Sequence, residues 1–204
     1  MKINYQKVLD ETLHEINTTK KNPKLLLHSC CAPCSTYVVT YLLDYFGITI
    51  LYYNPNIFPK EEYQRRRNEQ IRFIGEIREN RSIDMMDIEY EREKFEQIAQ
   101  GYEKEREGGA RCERCFNLRL KKTAEIAKLE KYDYFGTTLT VSPYKNANQI
   151  NEIGVELEKE YNVKWLYSDF KKNDGYKKSI EISKEYNLYR QDYCGCEYSM
   201  IPFL

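Results

Sequence analysis

The chain has 204 residues, of which 41% are hydrophobic and 31% charged, and a formal net charge of zero. That length fits one domain with room for a small subdomain, and that hydrophobic share can build a core beneath a solvated surface. No apolar run nears the roughly 18 residues that cross a bilayer, and zero net charge excludes a global field that draws in nucleic acid.

Residues 4–19 have a helical period, with Val8, Leu9, Leu13 and Ile16 on one face. Residues 1–20 as a whole are polar and amphipathic, unlike a signal peptide, so the chain is expected in the cytoplasm. After Pro23, residues 24–28 (KLLLH) read as a buried strand, and a loop over 29–33 leads into a helix over 35–46 that stops at Gly47. Residues 48–53 predict a second strand, broken by Asn54-Pro55-Asn56. Pro59 opens a long charged helix ending near Arg78. A third strand over 82–88 and a helix over 91–100 follow, then a Gly-bounded connection over 101–109 and a helix over 113–129. Residues 132–136 predict a strand that runs into a polar loop, 137–143. A helix over 148–160, a strand over 164–167 and a helix over 174–186 complete the pattern. Strands alternating with helices predict an α/β fold on a parallel sheet, whose ligands bind beyond the carboxyl ends of the strands. Three loops at such ends carry chemistry-prone side chains: 29–34, 137–143 and 168–175.

Seven cysteines fall in three tight groups: Cys30-Cys31-x-x-Cys34, Cys112-x-x-Cys115 and Cys194-Gly195-Cys196. An odd count in a reducing compartment reads as metal ligands or catalytic thiols rather than structural staples. Cys112-x-x-Cys115 has the spacing of a chelating turn, and Cys30-Cys31 adds vicinal thiols at a helix start whose dipole favours thiolate. Together these four can hold either a cubane iron–sulfur cluster or one tetrahedral zinc. Cys31-Ala32-Pro33-Cys34 also has the strand-to-helix context of a redox dithiol. A disulfide across the single residue Gly195 would be strained and labile, which marks Cys194 and Cys196 as a redox pair. Three functions thus stand side by side: a redox metalloenzyme, a zinc-stabilised RNA-binding module, and a thiol–disulfide oxidoreductase. His28, at a strand end, reads either as a residue that orients a ligand or as an ordinary hydrogen-bonded histidine.

Local basic clusters occur at Arg65-Arg66-Arg67, across 111–122, and at Lys171-Lys172 and Lys177-Lys178. They read as solvated helix faces or as phosphate contacts. The chain also has 19 Tyr, so aromatic stacking surface is plentiful.

Five separated stretches carry a family resemblance: LHSCCAPC from Leu27 to Cys34, YNPNI from Tyr53 to Ile57, Arg111-Cys112-x-x-Cys115-Phe116-x-Leu118-Arg119, Gly136-Thr137-Thr138-Leu139-x-x-Ser142-Pro143-Tyr144-Lys145, and Tyr189-x-Gln191-x-Tyr193-Cys194-Gly195-Cys196. In this order they resemble the QueH family of cobalamin-independent epoxyqueuosine reductases, over about residues 24–199, with residues 1–20 as a helical extension of a single α/β domain. The resemblance implies a three-layer Rossmann-like fold, similar to the PP-loop (HUP-like) nucleotide-binding domains. Cysteines stand where those enzymes carry a Ser-Gly-Gly phosphate loop.

It also implies reduction of epoxyqueuosine at the tRNA wobble position to queuosine, with a [4Fe–4S] cluster, a further mononuclear iron beside it and an unidentified electron donor. On that reading Cys30, Cys31, Cys112 and Cys115 hold the cluster, and Cys34 helps bind the adjacent iron with Asp169. Cys194 and Cys196 relay electrons as a dithiol. Asp169, Asp192 and Tyr193 are candidate second-site ligands or acids. Tyr53, Phe58 and Tyr144 are candidate stacking platforms for the splayed base, and Arg111, Arg114 and Arg119 are candidate phosphate contacts.

Overall fold

A computed structural model describes residues 3–77 and 83–200. The expected helix end at Arg78 and strand start at Ser82 lie outside the described residues.

The elements alternate as the hydrophobic periods predict. In chain order they are α1 (Tyr5–Thr19), β1 (Lys24–His28), α2 (Ala32–Leu42), β2 (Gly47–Tyr52), α3 (Lys60–Ile77), β3 (Ile83–Asp87), α4 (Arg92–Ala99), α5 (Ala110–Leu129), β4 (Tyr134–Thr137), α6 (Ala147–Tyr161), β5 (Lys164–Trp165) and α7 (Gly175–Glu185). Among the described residues the five strands form one parallel sheet in the order β3-β2-β1-β4-β5.

The central strand explains the layering. Every residue of β1 after Lys24 is buried, as expected of a parallel strand covered on both faces. Leu25 and Leu27 pack into a core with Leu9, Leu13 and Ile16 of α1, Val38 and Leu42 of α2, and Phe73 of α3. Leu26 packs into the opposite core with Phe116 and Leu120 of α5 and Ile150 and Leu157 of α6. Successive side chains of a strand point to opposite faces, so one continuous apolar run serves two cores. The result is the expected three-layer Rossmann-like arrangement.

Two helix starts differ from expectation in a way that matters for the cysteines. α2 begins at Ala32, three residues early, because Pro33 lies in the first turn, where a missing N–H breaks no helical bond. Cys31 is its N-cap residue and Cys34 lies inside its first turns. α5 begins at Ala110 rather than residue 113, so Cys112 and Cys115 sit one turn apart on a helix instead of in a chelating turn ahead of it. The polar loop after β4 includes a short 3₁₀ turn, Leu139–Val141.

From β1 the chain crosses to β2 and β3 on one side, then returns to place β4 on the other. β1 and β4 therefore flank the point where the strand order reverses, and their carboxyl ends open the crevice in which such sheets bind ligands. His28 pairs in register with Thr137 there, and the Thr138 N–H donates to the His28 carbonyl at 2.9 Å.

Candidate metal centre

Three cysteines meet at the end of β1. The sulfurs of Cys30, Cys31 and Cys34 all lie within 4.8 Å of one another, and no other group of three or more such ligands among the described residues is as tight. The strand end supplies the first two, and the early start of α2 turns Cys34 back onto them. Hydrogen bonds from the Cys31 and Cys34 thiols hold the Cys30 pKa well below its ordinary value. Facing Cys30, Cys31 is pushed up to about 12, and Cys34 is raised as well. One sulfur of the three ionises readily, and its charge opposes the other two. A bound cation would relieve that opposition.

His28 sits beneath this group as a neutral ring. Nε2 donates to the Tyr53 carbonyl at 3.2 Å, which leaves Nδ1 to accept from the Thr137 hydroxyl at 2.9 Å. Burial, reinforced by the Arg119 charge, lowers its pKa to about 3. Of its two sequence readings, the ordinary hydrogen-bonded histidine describes it.

Arg119 joins the triad to the remaining cysteines. It is 1% exposed. Its Nε donates to the Cys115 carbonyl at 3.3 Å and one Nη to Asn54 Oδ1 at 3.5 Å, while the other Nη is buried without a hydrogen-bond partner. No carboxylate among the described residues forms an ion pair with it. Burial disfavours its charge, but Cys115, then Cys194, Cys30 and Cys112, outweigh that and hold its pKa above the ordinary value. A buried guanidinium needs a counter-charge, and cysteine sulfurs stand where a carboxylate would. An anionic thiolate-bound metal group fits this set of donors. Cys115, on the same helix, is buried and pushed up to about 12, so without a metal it stays a thiol. Cys112 is half-buried, raised by burial, and accepts from the Gly108 N–H at 3.2 Å.

The third pair approaches from the tail. Cys194 faces a cavity of about 440 Å³ that it shares with Cys30, Cys34, Arg119, Lys145 and Gln191. Lys145 Nζ, only 10% exposed in its side chain, donates to Cys194 Sγ at 3.4 Å. Burial opposes its charge, yet Cys194 and Cys30 raise its pKa. Cys196 points away into a small core with Phe95, Ala99 and Cys115, and burial pushes its pKa up to about 11.

Backbone contacts fix the segment. Arg66 donates to the carbonyls of Tyr193 and Cys194, the Phe58 N–H donates to the Gly195 carbonyl at 2.8 Å, and Ser199 donates to that of Cys196. Gly195 has φ +111°, and a Cβ there would stand 2.9 Å from Ile57 and 3.0 Å from Arg66. The single-residue spacer is thus glycine for both conformational and steric reasons.

Several sequence expectations change once burial is known. Arg111 is not a phosphate contact. It is 1% exposed, and one Nη donates to the carbonyls of Tyr102, Glu103 and Glu105 at 2.7–2.9 Å, pinning the 101–109 connection. Arg119 is likewise interior, which leaves Arg114 exposed alone of the three, over the Tyr102 ring. In the arginine run, Arg66 is buried against Glu62, Arg67 pairs with Asp87, and Arg65 stacks on Tyr189. Tyr53 is a core residue and offers no stacking face, whereas Phe58 and Tyr144 are exposed and Tyr144 borders the cavity. Asp169 stands outside the cysteine cavity, in a neighbouring depression, with its carboxylate 2.7 Å from Lys171. Asp192 lines the cavity instead.

Sequence reasoning does not place Arg119, Lys145 and Gln191 where they stand. For Arg119 a signal is present. Arg111, Cys115 and Arg119 recur every four residues, which puts both arginines on the buried stripe of α5 with Cys115.

The family model for epoxyqueuosine reductase QueH matches residues 25–201 of this chain. Proteins of that name are similar over most of their length. The one from Staphylococcus epidermidis is 48% identical over 202 residues, covering 97% of this chain and 85% of the relative. The one from Staphylococcus aureus is 46% identical, covering 97% and 84%. That from Thermotoga maritima is 35% identical over 180 residues, covering 87% and 90%.

Proposed function

This chain belongs to the epoxyqueuosine reductase QueH family, and from that premise we propose that it reduces epoxyqueuosine in the wobble position of tRNA to queuosine, in the cytoplasm. The observation that carries the reading is the convergence of Cys30, Cys34 and Cys194 on one cavity at the strand switch point. At about 440 Å³, that cavity falls in the range that holds a small-molecule-sized group, here a single extruded nucleoside.

In this reading Cys30, Cys31, Cys112 and Cys115 hold a [4Fe–4S] cluster, with Arg119 as its buried counter-charge. Cys34, at the cavity wall, is the ligand left over for an adjacent iron. A bound cluster supplies single electrons at low potential. The chain's own groups do the rest. Removing the epoxide oxygen as water takes two electrons and two protons. Oxidising the Cys194–Cys196 dithiol to a disulfide releases that number of each. Lys145 holds Cys194 at the cavity wall, and of the two carboxylates that line it, Glu107 pairs with Lys145 and Asp192 is the one placed to move a proton. Tyr144 offers a stacking face to the base.

The reductase reading is tested by anaerobic purification. A brown protein with sulfide and a small excess of iron over it, which converts epoxyqueuosine to queuosine in tRNA digests, supports it. A colourless zinc protein without conversion overturns it in favour of the RNA-binding module.

With Arg111 and Arg119 buried, the proposed tRNA surface is the α7 edge. Tyr176 and Ser179 line the cavity there, with Arg190 beside them, and Lys177 and Lys178 are exposed on the same helix. Replacing Lys177, Lys178 and Arg190 together by Gln is expected to leave iron content unchanged. It should reduce the slope of log affinity against log salt by about 2. An unaltered slope would move the docking face elsewhere.

A further inference from the structure

Gln191 is engaged at one end only. Its Nε2 donates to Cys31 Sγ at 2.8 Å, while its Oε1 is buried with no hydrogen-bond partner. The side chain lines the cysteine cavity. As the metal-bound thiolate of the proposed assignment, Cys31 can only accept, so the amide's N–H serves it and the carbonyl end faces away from it. A buried acceptor left without a donor is costly, and native proteins rarely keep one. The cavity's cations do not satisfy it. Lys145 is taken by Cys194 and Glu107, Arg190 lies over the Tyr176 ring, and the unpartnered Nη of Arg119 does not reach it.

We infer that Gln191 is a substrate-reading residue: its Oε1 accepts a hydrogen bond from a hydroxyl or N–H of the nucleoside bound in the cavity, while its Nε2 stays on Cys31. The inference rests on the reading of this cavity as the epoxyqueuosine site. The carboxamide would then span a metal-ligating sulfur and the substrate, fixing the distance between them. A site with an acceptor of this kind discriminates against ligands that lack the matching donor, because the acceptor is then left buried and unpaired.

The test measures affinity, with the metal-loaded protein, for tRNA carrying epoxyqueuosine and for the same tRNA carrying guanosine. Gln191→Met removes the acceptor at similar volume and is expected to weaken binding about three- to tenfold. A loss confined to epoxyqueuosine tRNA assigns the donor to the cyclopentane hydroxyls. An equal loss for both tRNAs assigns it to the base. Wild-type affinity in Gln191→Met overturns the inference. Should Gln191→Met fail to load metal, Gln191→Asn, too short to span both partners, is expected to show the same loss, and wild-type affinity there overturns the inference equally. A wild-type protein that does not prefer epoxyqueuosine tRNA would instead sink the underlying functional reading.

Discussion

Cys115→Ala protein, purified without oxygen, is expected to lose most of its iron and sulfide and to show no measurable turnover. Cys115 is buried on α5 one turn from Cys112, with its carbonyl held by Arg119. Its thiol is pushed up to about 12 by burial, so only a metal makes it a thiolate near neutrality. Removing it deletes one of four ligands and leaves Arg119 facing fewer counter-charges. Cys34→Ser is the informative contrast. Cys34 belongs to the tight triad with Cys30 and Cys31, and in the proposed assignment it serves the adjacent iron. That variant should keep the visible absorption of the cluster and lose one iron and most activity. The reverse pattern, with full cluster content in Cys115→Ala and none in Cys34→Ser, would make the triad the cluster's anchor and displace the α5 pair.

The Cys194→Ser/Cys196→Ser double variant should retain its cluster and lose turnover with the physiological donor by about a hundredfold or more, the scale of losing a positioned proton-transferring group. The two thiols are unlike. Cys194 faces the cavity beside Lys145, whereas Cys196 is packed against Phe95, Ala99 and Cys115 and is pushed up to about 11. Hydrogen bonds on four successive carbonyls, from Tyr193 to Cys196, hold the segment in place. An exchanging thiol backed by a buried partner is the role proposed for this arrangement. A strong chemical reductant should restore part of the activity, because it replaces the relay rather than the site. Full activity with both reductants would remove the relay from the mechanism. Loss of iron and sulfide would instead make these two residues ligands.

The alternation of β1, α2, β2 and α3, the parallel sheet and the grouping of seven cysteines are legible along the chain. Each depends on spacings of two to four residues, which strand and helix geometry translate directly into faces and turns. The same local rules misplace what lies on the long-range interior. They put Arg119 on the surface because charge usually seeks water, although its four-residue spacing from Cys115 belongs to the buried stripe of α5. Sequence reasoning favours Asp169 over Asp192 as the partner of Cys34, and only the packed fold puts Asp192 in the cavity and Asp169 outside it against Lys171. Gln191 meets Cys31 across 160 positions and Lys145 meets Cys194 across 49, separations over which no periodicity operates.

Residue type and short spacing therefore settle the fold class, the membership of the family and the thiol-rich character of the site, because each is written in local patterns. Folding in three dimensions decides which charges are buried, which carboxylates face the cavity and which cysteines share a wall. Those outcomes depend on how two cores close around one sheet, and a buried charge is tolerated only where distant residues supply its counter-charge.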